Sequence, residues 1–249
     1  MKQRAFEIIH EDPEILVINK KAGILSIPDR YHPEKPNLYT LLTHYRGVIY
    51  PLHRLDKCTS GIMLYAKNEE AHQYVSSLFE ERRVIKEYFA VVSGTPPEKK
   101  GNIETFISPA MHRKEMMMVS KKGKLAITDY EVVEEYIHYS LLKLIISTGR
   151  QHQIRVHMQH IGNPLAVDNR YSGKDALYAF DIKLKNFHQK DSEQLHPLID
   201  RCTLHAHTLS FNHPHEEKWV SYQAPLPKDM NALINQLRKW QSIDSKMIQ

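Results

Sequence analysis

One short run of the chain, residues 50–61 (YPLHRLDKCTSG), brings His, Arg, Asp, Lys, Cys, Thr and Ser side chains close together in sequence. Asp56 follows an apolar stretch and precedes Thr59-Ser60-Gly61, a combination that favours a turn. An aspartate between a strand and a turn often caps backbone N–H groups, whereas a catalytic aspartate acts as a nucleophile or general base. This run alone therefore leaves a structural and a catalytic role open for Asp56.

Metal and nucleotide chemistry find little support in the sequence. His152, His157 and His160 are spaced by five and then three residues, whereas a zinc helix places histidines at i and i+4 with further ligands elsewhere. The order HRLD is not that of a kinase catalytic loop, and neither GxxxxGK[ST] nor GxGxxG occurs. We therefore expect no metal and no bound cofactor.

Composition indicates a globular protein with a mild basic excess. The 249 residues suit one large domain or two small ones, and Lys plus Arg number 34 against 29 Asp plus Glu. This excess is compatible with a polyanionic partner without requiring one.

Acidic residues stand where a signal peptide needs an apolar core, and no apolar run is long enough to span a membrane. The two cysteines could pair, but a reduced state is simpler. We predict a soluble cytoplasmic protein without a membrane partner.

Short apolar runs alternate with a few helical segments along the chain. Strand patterns occupy 6–9, 15–18, 62–66, 83–94 and several stretches of 103–148. In 83–94, alternation places Lys86, Tyr88, Ala90 and Val92 on one side of the strand. Helical patterns follow Asn68, a good N-cap, follow Gly149 and cover 228–241. Many short strands with few helices predict an α+β fold with a mixed, mostly antiparallel central sheet. Residues 111–124 favour a solvated hairpin, with a basic element that touches a polyanion as the alternative. Residues 175–200 are polar and irregular and predict a surface insertion.

Four sequence blocks occur in an order and spacing that resemble one enzyme family. They are NKKAGILSIP (19–28), HRLDKCTSGIMLYAKN (53–68), RVIKEYFAVVSG (83–94) and TGRQHQIRVHMQHIGNPLAVDNRY (148–171). In combination they resemble the RluA-type family of pseudouridine synthases over about residues 7–227. The resemblance implies the pseudouridine synthase catalytic fold and an isomerase that cleaves the N-glycosidic bond of a uridine, turns the uracil and rejoins it through C5.

The resemblance also implies roles for individual residues. Asp56 would be the nucleophile, Tyr88 the residue packed against the target base, and Arg155 the basic partner of Asp56. His53, Arg54 and Leu55 complete the signature as substrate-binding residues, and Leu204 would belong to an apolar wall of the site. Taken alone, Tyr88 could be a core strand residue and Arg155 could lie on a solvated helix face.

The chemistry explains why these residue types belong together. Glycosidases place two carboxylates across the bond they cleave, but here the uracil is kept and reattached, so one carboxylate suffices. Asp56 could attack C1′, add to C6 of the ring, or remove a ribose proton, and the sequence leaves these routes open. A buried carboxylate needs a cation to stay ionised, which Arg155 would supply, and an aromatic face such as Tyr88 offsets the cost of extruding a base.

Domain organisation and partners are expected to be simple. We predict a single catalytic domain over residues 1–249, without the S4 module that precedes it in many relatives, and a monomer is favoured. The substrate would be ribosomal or transfer RNA, recognised as a stem-loop, since a lone catalytic domain suits a compact element. Candidate phosphate contacts are Lys57, Arg82, Arg83, Lys86 and the 113–124 segment. The alternative is a noncatalytic RNA-binding or chaperone protein on the same scaffold.

Overall fold

A computed structural model describes residues 5–111, 113, 115–183, 196–216 and 218–243 of the chain. The elements are, in chain order, β1 (Phe6–Glu11), β2 (Ile15–Lys20), α1 (Leu38–Arg46), β3 (Tyr50–Pro51), β4 (Ser60–Ala66), α2 (Glu69–Glu80), β5 (Ile85–Ser93), β6 (Lys100–Pro109), β7 (Met117–Val119), β8 (Lys124–Glu135), β9 (Tyr139–Ile146), α3 (Gln153–His160), α4 (Ala179–Ile182), β10 (Leu204–Asn212), β11 (Trp219–Gln223) and α5 (Lys228–Trp240).

The chain divides into two units. The first comprises the residues up to Tyr88 together with His205–Pro225, and the second comprises Phe89–Leu204 and the residues from Leu226 onward. Strand β5 begins in the first unit and continues in the second.

The sheet of the first unit has the strand order β1-β2-β4-β10, with β11 beside β10 and β3 beside β4. The β4–β10 pair is parallel, and the other described pairs of this unit are antiparallel. Gly61 makes the parallel pair possible, because its φ is +118° and a Cβ there would lie 2.1 Å from the carbonyl oxygen of Ala206. A residue with a side chain would force the two strands apart at this point.

The second unit continues with the order β5-β9-β8-β6-β7, and its described β6–β7, β6–β8 and β8–β9 pairs are antiparallel. Helix α5 covers its core with the side chains that recur at helical spacing: Met230, Leu233, Ile234 and Leu237. These residues pack in one cluster with Val91, Leu141 and Val167.

The predicted fold class is confirmed: the chain is α+β, with a mixed and mostly antiparallel sheet. The predicted helix after Asn68 is α2, and the Asn68 side-chain oxygen caps it by accepting the Ala71 N–H at 2.8 Å. The predicted helix after Gly149 is α3, but it is not amphipathic. Arg155 and His157 are as buried as Ile154 and Met158, so the solvated-face alternative for Arg155 is wrong.

Two further expectations meet the structure in part, and one is wrong. Residues 111–124 contain β7, which pairs with the end of β6 as one arm of a hairpin, and residues 112 and 114 lie outside the described residues. In the predicted insertion, residues 184–195 lie outside the described part, while Leu177, Ile182 and Ile199 beside them are buried in the core of the second unit. Neither Cys58 nor Cys202 is a free cysteine, so the expected reduced state is wrong. None of the helices described has the length and apolarity to cross a membrane.

Candidate active site

The loop that carries Asp56 is fastened on both sides by residues of the first sequence block. The Ser26 hydroxyl donates to the Leu55 carbonyl oxygen at 2.7 Å and accepts the Leu55 N–H at 3.1 Å. The fully buried ammonium group of Lys20 donates to the Thr59 carbonyl oxygen at 2.8 Å. Asp56 therefore sits between two anchored residues, and its own carbonyl oxygen accepts the Thr59 N–H at 3.1 Å to close a turn.

His53 anchors the start of this loop. Its Nε2 accepts the Leu64 N–H at 3.0 Å, and its ring stacks on Phe79 with centroids 5.4 Å apart. Burial, followed by the nearby charge of Lys86, lowers the pKa of His53 to about 3. The imidazole is therefore neutral, with its proton on Nδ1, and it holds the loop against β4 and α2.

Tyr88 and Asp56 both belong to the first unit, and the charge of the Asp56 carboxylate reaches the Tyr88 phenol. Side chains of β5 alternate between buried and more exposed positions, and Lys86, Tyr88 and Ala90 fall on the buried face, as predicted. Burial raises the pKa of the Tyr88 phenol, and the negative charge of Asp56 raises it further. The phenol is therefore neutral and can donate a hydrogen bond, while Asp56 is only half-buried and remains open to a substrate.

The other residues of the signature differ in exposure. Arg54 is exposed, and no described residue forms an ion pair with it. Leu55 points inward with 7% exposure, and Leu204, the first residue of β10, is buried in the second unit. Arg54 is thus the residue of this loop best placed to reach a ligand from solvent, whereas Leu55 contributes to packing.

Arg155 is held in the second unit by a partner that the sequence did not reveal. Its Nε donates to Oδ2 of Asp168 at 2.7 Å and its Nη2 donates to Oδ1 at 2.8 Å, and both side chains are at most 4% exposed. Such a bidentate geometry is specific to arginine. The Asp168 carboxylate is itself oriented by the N–H groups of Arg170 and Tyr171.

Tyr171 supports the same guanidinium from another side. The carbon at the centre of the Arg155 guanidinium lies 4.9 Å from the Tyr171 ring centroid. The Tyr171 hydroxyl bonds with Nδ1 of His152 at 2.8 Å and accepts the Met117 N–H at 2.9 Å. His152 has a left-handed backbone with φ of 56°. Asp168 and Tyr171, together with the groups of His152 and Met117 that hold Tyr171, therefore fix the direction of the Arg155 side chain.

The positioning residues that sequence reasoning missed all lie in its quoted blocks. Lys20 and Ser26 belong to NKKAGILSIP, and Asp168 and Tyr171 end the block 148–171. Two signals were available in the sequence. Lys20 closely follows an apolar strand pattern, and Asp168 comes shortly after the predicted helix that carries Arg155. The histidines considered as metal ligands are used otherwise: His157 bonds to Thr105 and Thr128 through its two ring nitrogens. Within the described ranges, no group of three or more His, Cys, Asp or Glu side chains could hold a metal ion.

Comparisons with known proteins identify the class of enzyme. The family described as RNA pseudouridylate synthase matches residues 14–160. The chain belongs to this family, and it is an RNA pseudouridine synthase, an isomerase. It is 34% identical over 241 residues to an uncharacterized RNA pseudouridine synthase of Bacillus subtilis named YlyB, covering 94% of this chain and 73% of that protein.

Further relatives carry a more specific name. The chain is 36% identical to the ribosomal large subunit pseudouridine synthase D of Blochmanniella floridana, covering 94% of this chain and 73% of the relative. The solved structure of the human RNA pseudouridylate synthase domain containing 4 is similar with a TM-score of 0.67 and 25% identity, covering 93% of this chain and 92% of that one. The family resemblance inferred from the sequence blocks is therefore confirmed.

Proposed function

We propose that this enzyme isomerises uridines of ribosomal RNA to pseudouridine, with Asp56 as its nucleophile. The observation that carries the proposal is the anchored loop that holds the half-buried Asp56 carboxylate where its charge acts on the neutral phenol of Tyr88. In the reaction the N1–C1′ bond breaks, a C5–C1′ bond forms, and the proton displaced from C5 goes to N1. Asp56 is required whether it attacks C1′, adds to C6 or removes a ribose proton.

Tyr88 and Arg54 have complementary roles in this proposal. A stacked uridine hides C1′ and C6, so it has to be extruded at a cost of roughly a few kcal/mol. Stacking on the Tyr88 ring recovers about 1–3 kcal/mol, and the exposed Arg54 holds the extruded nucleotide. Leu55 and Leu204, which are both buried, are proposed to support the apolar wall of the site from behind, and His53 keeps the loop in place.

Arg155 is proposed as the cationic partner of Asp56, the role that the family resemblance implies. A guanidinium has five N–H donors, so an arginine can serve more than one carboxylate. Support comes from the second unit, where Asp168 and Tyr171 fix the orientation of Arg155. A cation held in this way keeps a nearby carboxylate ionised and reactive.

The choice of ribosomal RNA follows the names of the relatives, several of which are ribosomal large subunit pseudouridine synthases. We propose that the enzyme works in the cytoplasm as a monomer, with one catalytic domain that spans the chain. Its target is a stem-loop, in which a loop uridine is already poorly stacked and cheaper to extrude. The noncatalytic alternative is disfavoured by membership of an enzyme family.

The test is a map of pseudouridine in ribosomal and transfer RNA from cells with and without the gene. We expect at least one ribosomal site to disappear and to return when the wild-type gene is supplied. Identical maps in the two strains would contradict the proposal, and loss confined to transfer RNA would contradict the choice of substrate. A synthetic hairpin around the lost site should then be modified nearly as fast as the full transcript.

A further inference from the structure

Lys86 is a buried cation of the first unit for which the described residues supply no counter-charge. The residue is 9% exposed, and Nζ lies 5.6 Å from the centroid of the Phe79 ring. No carboxylate among the described residues forms an ion pair with it. Burial of an ammonium group away from water is costly unless a partner compensates for the lost hydration.

The surroundings of Lys86 add positive charge and a neutral ring. The positive charge of Arg82 helps to lower the pKa of Lys86. The neutral ring of His53 stacks on Phe79, the ring that Lys86 also contacts. Tyr88 follows Lys86 by two residues on the same face of β5. The negative charge of Asp56 helps to raise the pKa of the Tyr88 phenol. The cation therefore lies on the strand face that leads to the proposed catalytic pair.

Arg82 occupies a position where a side chain has a conformational cost. It follows Glu81, the C-cap residue of α2, and has φ of 59°, a left-handed conformation that glycine adopts most easily after a helix. Its guanidinium is exposed, and no ion pair with a described residue is found for it. The helix end does not require an arginine here, so its cationic group is available to a ligand.

We propose that Lys86, assisted by Arg82, binds a phosphate group of the RNA backbone next to the uridine on which Asp56 and Tyr88 act. This inference rests on the proposed function for its position in the substrate, but the binding of a phosphate does not require turnover. A phosphodiester supplies the anion that the buried ammonium lacks, and a charge-assisted hydrogen bond forms between them. Arg82 adds a second, outer cation to the same anion.

The proposal predicts a specific dependence of RNA affinity on pH. Burial, followed by the charge of Arg82, lowers the pKa of Lys86 to about 8. Among the groups around it, His53 and Tyr88 stay neutral between pH 7 and 9.5. Affinity for RNA should therefore fall as the pH rises through the range in which Lys86 loses its proton.

The experiment measures the dissociation constant of an unmodified 23S ribosomal RNA transcript at several salt concentrations. We expect Lys86→Met to weaken binding about tenfold or more, as for the loss of a hydrogen bond between charged groups. Its slope of log affinity against log salt should be shallower by about 0.7–0.9, the value for one phosphate contact. Lys228→Met removes one exposed lysine charge at the start of α5 and should leave the slope unchanged.

Two further measurements separate binding from folding. Arg82→Gly should melt no earlier than the wild type, because glycine suits the left-handed position, and yet bind the transcript more weakly. The wild-type affinity should decline between pH 7 and 9.5, and Lys86→Met should show no such decline. Equal salt slopes for Lys86→Met and the wild type, or a pH-independent wild-type affinity, would overturn the phosphate site. A Lys86→Met variant that loses turnover but keeps the wild-type affinity, salt slope and pH dependence would count against it as well. If the predicted changes in affinity, salt slope and pH dependence are found but the wild-type protein forms no pseudouridine, only the proposed function is contradicted.

Discussion

The carboxylate of Asp168 holds the guanidinium of Arg155 through two hydrogen bonds of 2.7 and 2.8 Å, and both side chains are almost completely buried. The pair orients an arginine that would otherwise sample many rotamers. A buried ion pair often adds little net stability, because the loss of hydration offsets the attraction between the charges. We therefore infer that the pair serves to fix the direction of the Arg155 guanidinium.

Arg155→Lys should therefore be poorly tolerated. An ammonium group cannot reproduce the planar, bidentate contact with Asp168 or the contact with the Tyr171 ring. We expect the rate of pseudouridine formation to fall at least tenfold, while the charge of the side chain is retained. Arg150→Lys, a change at a half-buried arginine just before α3, is the matched control. A lysine variant of Arg155 with wild-type kcat would contradict the positioning argument.

Tyr88→Phe should separate stacking from proton transfer. The phenylalanine ring keeps the aromatic face, so RNA affinity should stay within about twofold, in line with stacking that depends on the ring. The rate should fall if the neutral hydroxyl donates or moves a proton near Asp56, as its raised pKa allows. Tyr88→Leu should lose affinity as well as rate. The measurement is single-turnover kinetics with saturating enzyme, and equal affinities for the leucine variant and the wild type would refute the stacking role.

Acid should destabilise the protein through its buried histidines. Burial, followed by the charge of His160, lowers the pKa of His157 to about 4, and His53 is lowered to about 3. Between these values and about 6.5 the unfolded chain binds more protons than the folded one. Stability is therefore complete above about pH 6.5 and is lost as the pH falls toward 4, by up to about 1.4 kcal/mol per pH unit for each histidine.

Urea unfolding at pH 7 and at pH 4.5 tests this assignment. His157→Gln should lower stability at pH 7, because the bonds to Thr105 and Thr128 are weakened, but it should lose less stability than the wild type between the two pH values. His215→Gln, at an exposed position, should retain the wild-type pH dependence. The same acid loss in His157→Gln and the wild type would show that His157 is not a source of it.

The sequence predicted those parts of the fold that local pattern encodes. Alternation predicted the buried face of β5, and the Asn68 cap predicted the start of α2. Periodicity was misleading for α3, because polar side chains are buried wherever another element supplies their partners. Arg155 is buried because Asp168 neutralises it, and His157 is buried because two threonines satisfy its ring nitrogens.

The candidate site was predictable as a set of residues but not as an arrangement. The HRLD block named Asp56 and its neighbours, and the strand block named Tyr88. The fastening of the loop by Lys20 and Ser26 depends on contacts between residues far apart in sequence. Such contacts follow from the register of strands and not from any local spacing, which is why the anchors stayed hidden.

The central claim, that Asp56 performs the chemistry, is tested most directly by Asp56→Asn. Pseudouridine formed in an unmodified ribosomal RNA transcript is measured for this variant and the wild type, together with the melting temperature and the dissociation constant for the same transcript. The asparagine keeps the size and turn of the aspartate but can act neither as a nucleophile nor as a base. We predict no detectable pseudouridine from the variant, with melting temperature and RNA affinity close to those of the wild type. Activity within tenfold of the wild type would contradict the account.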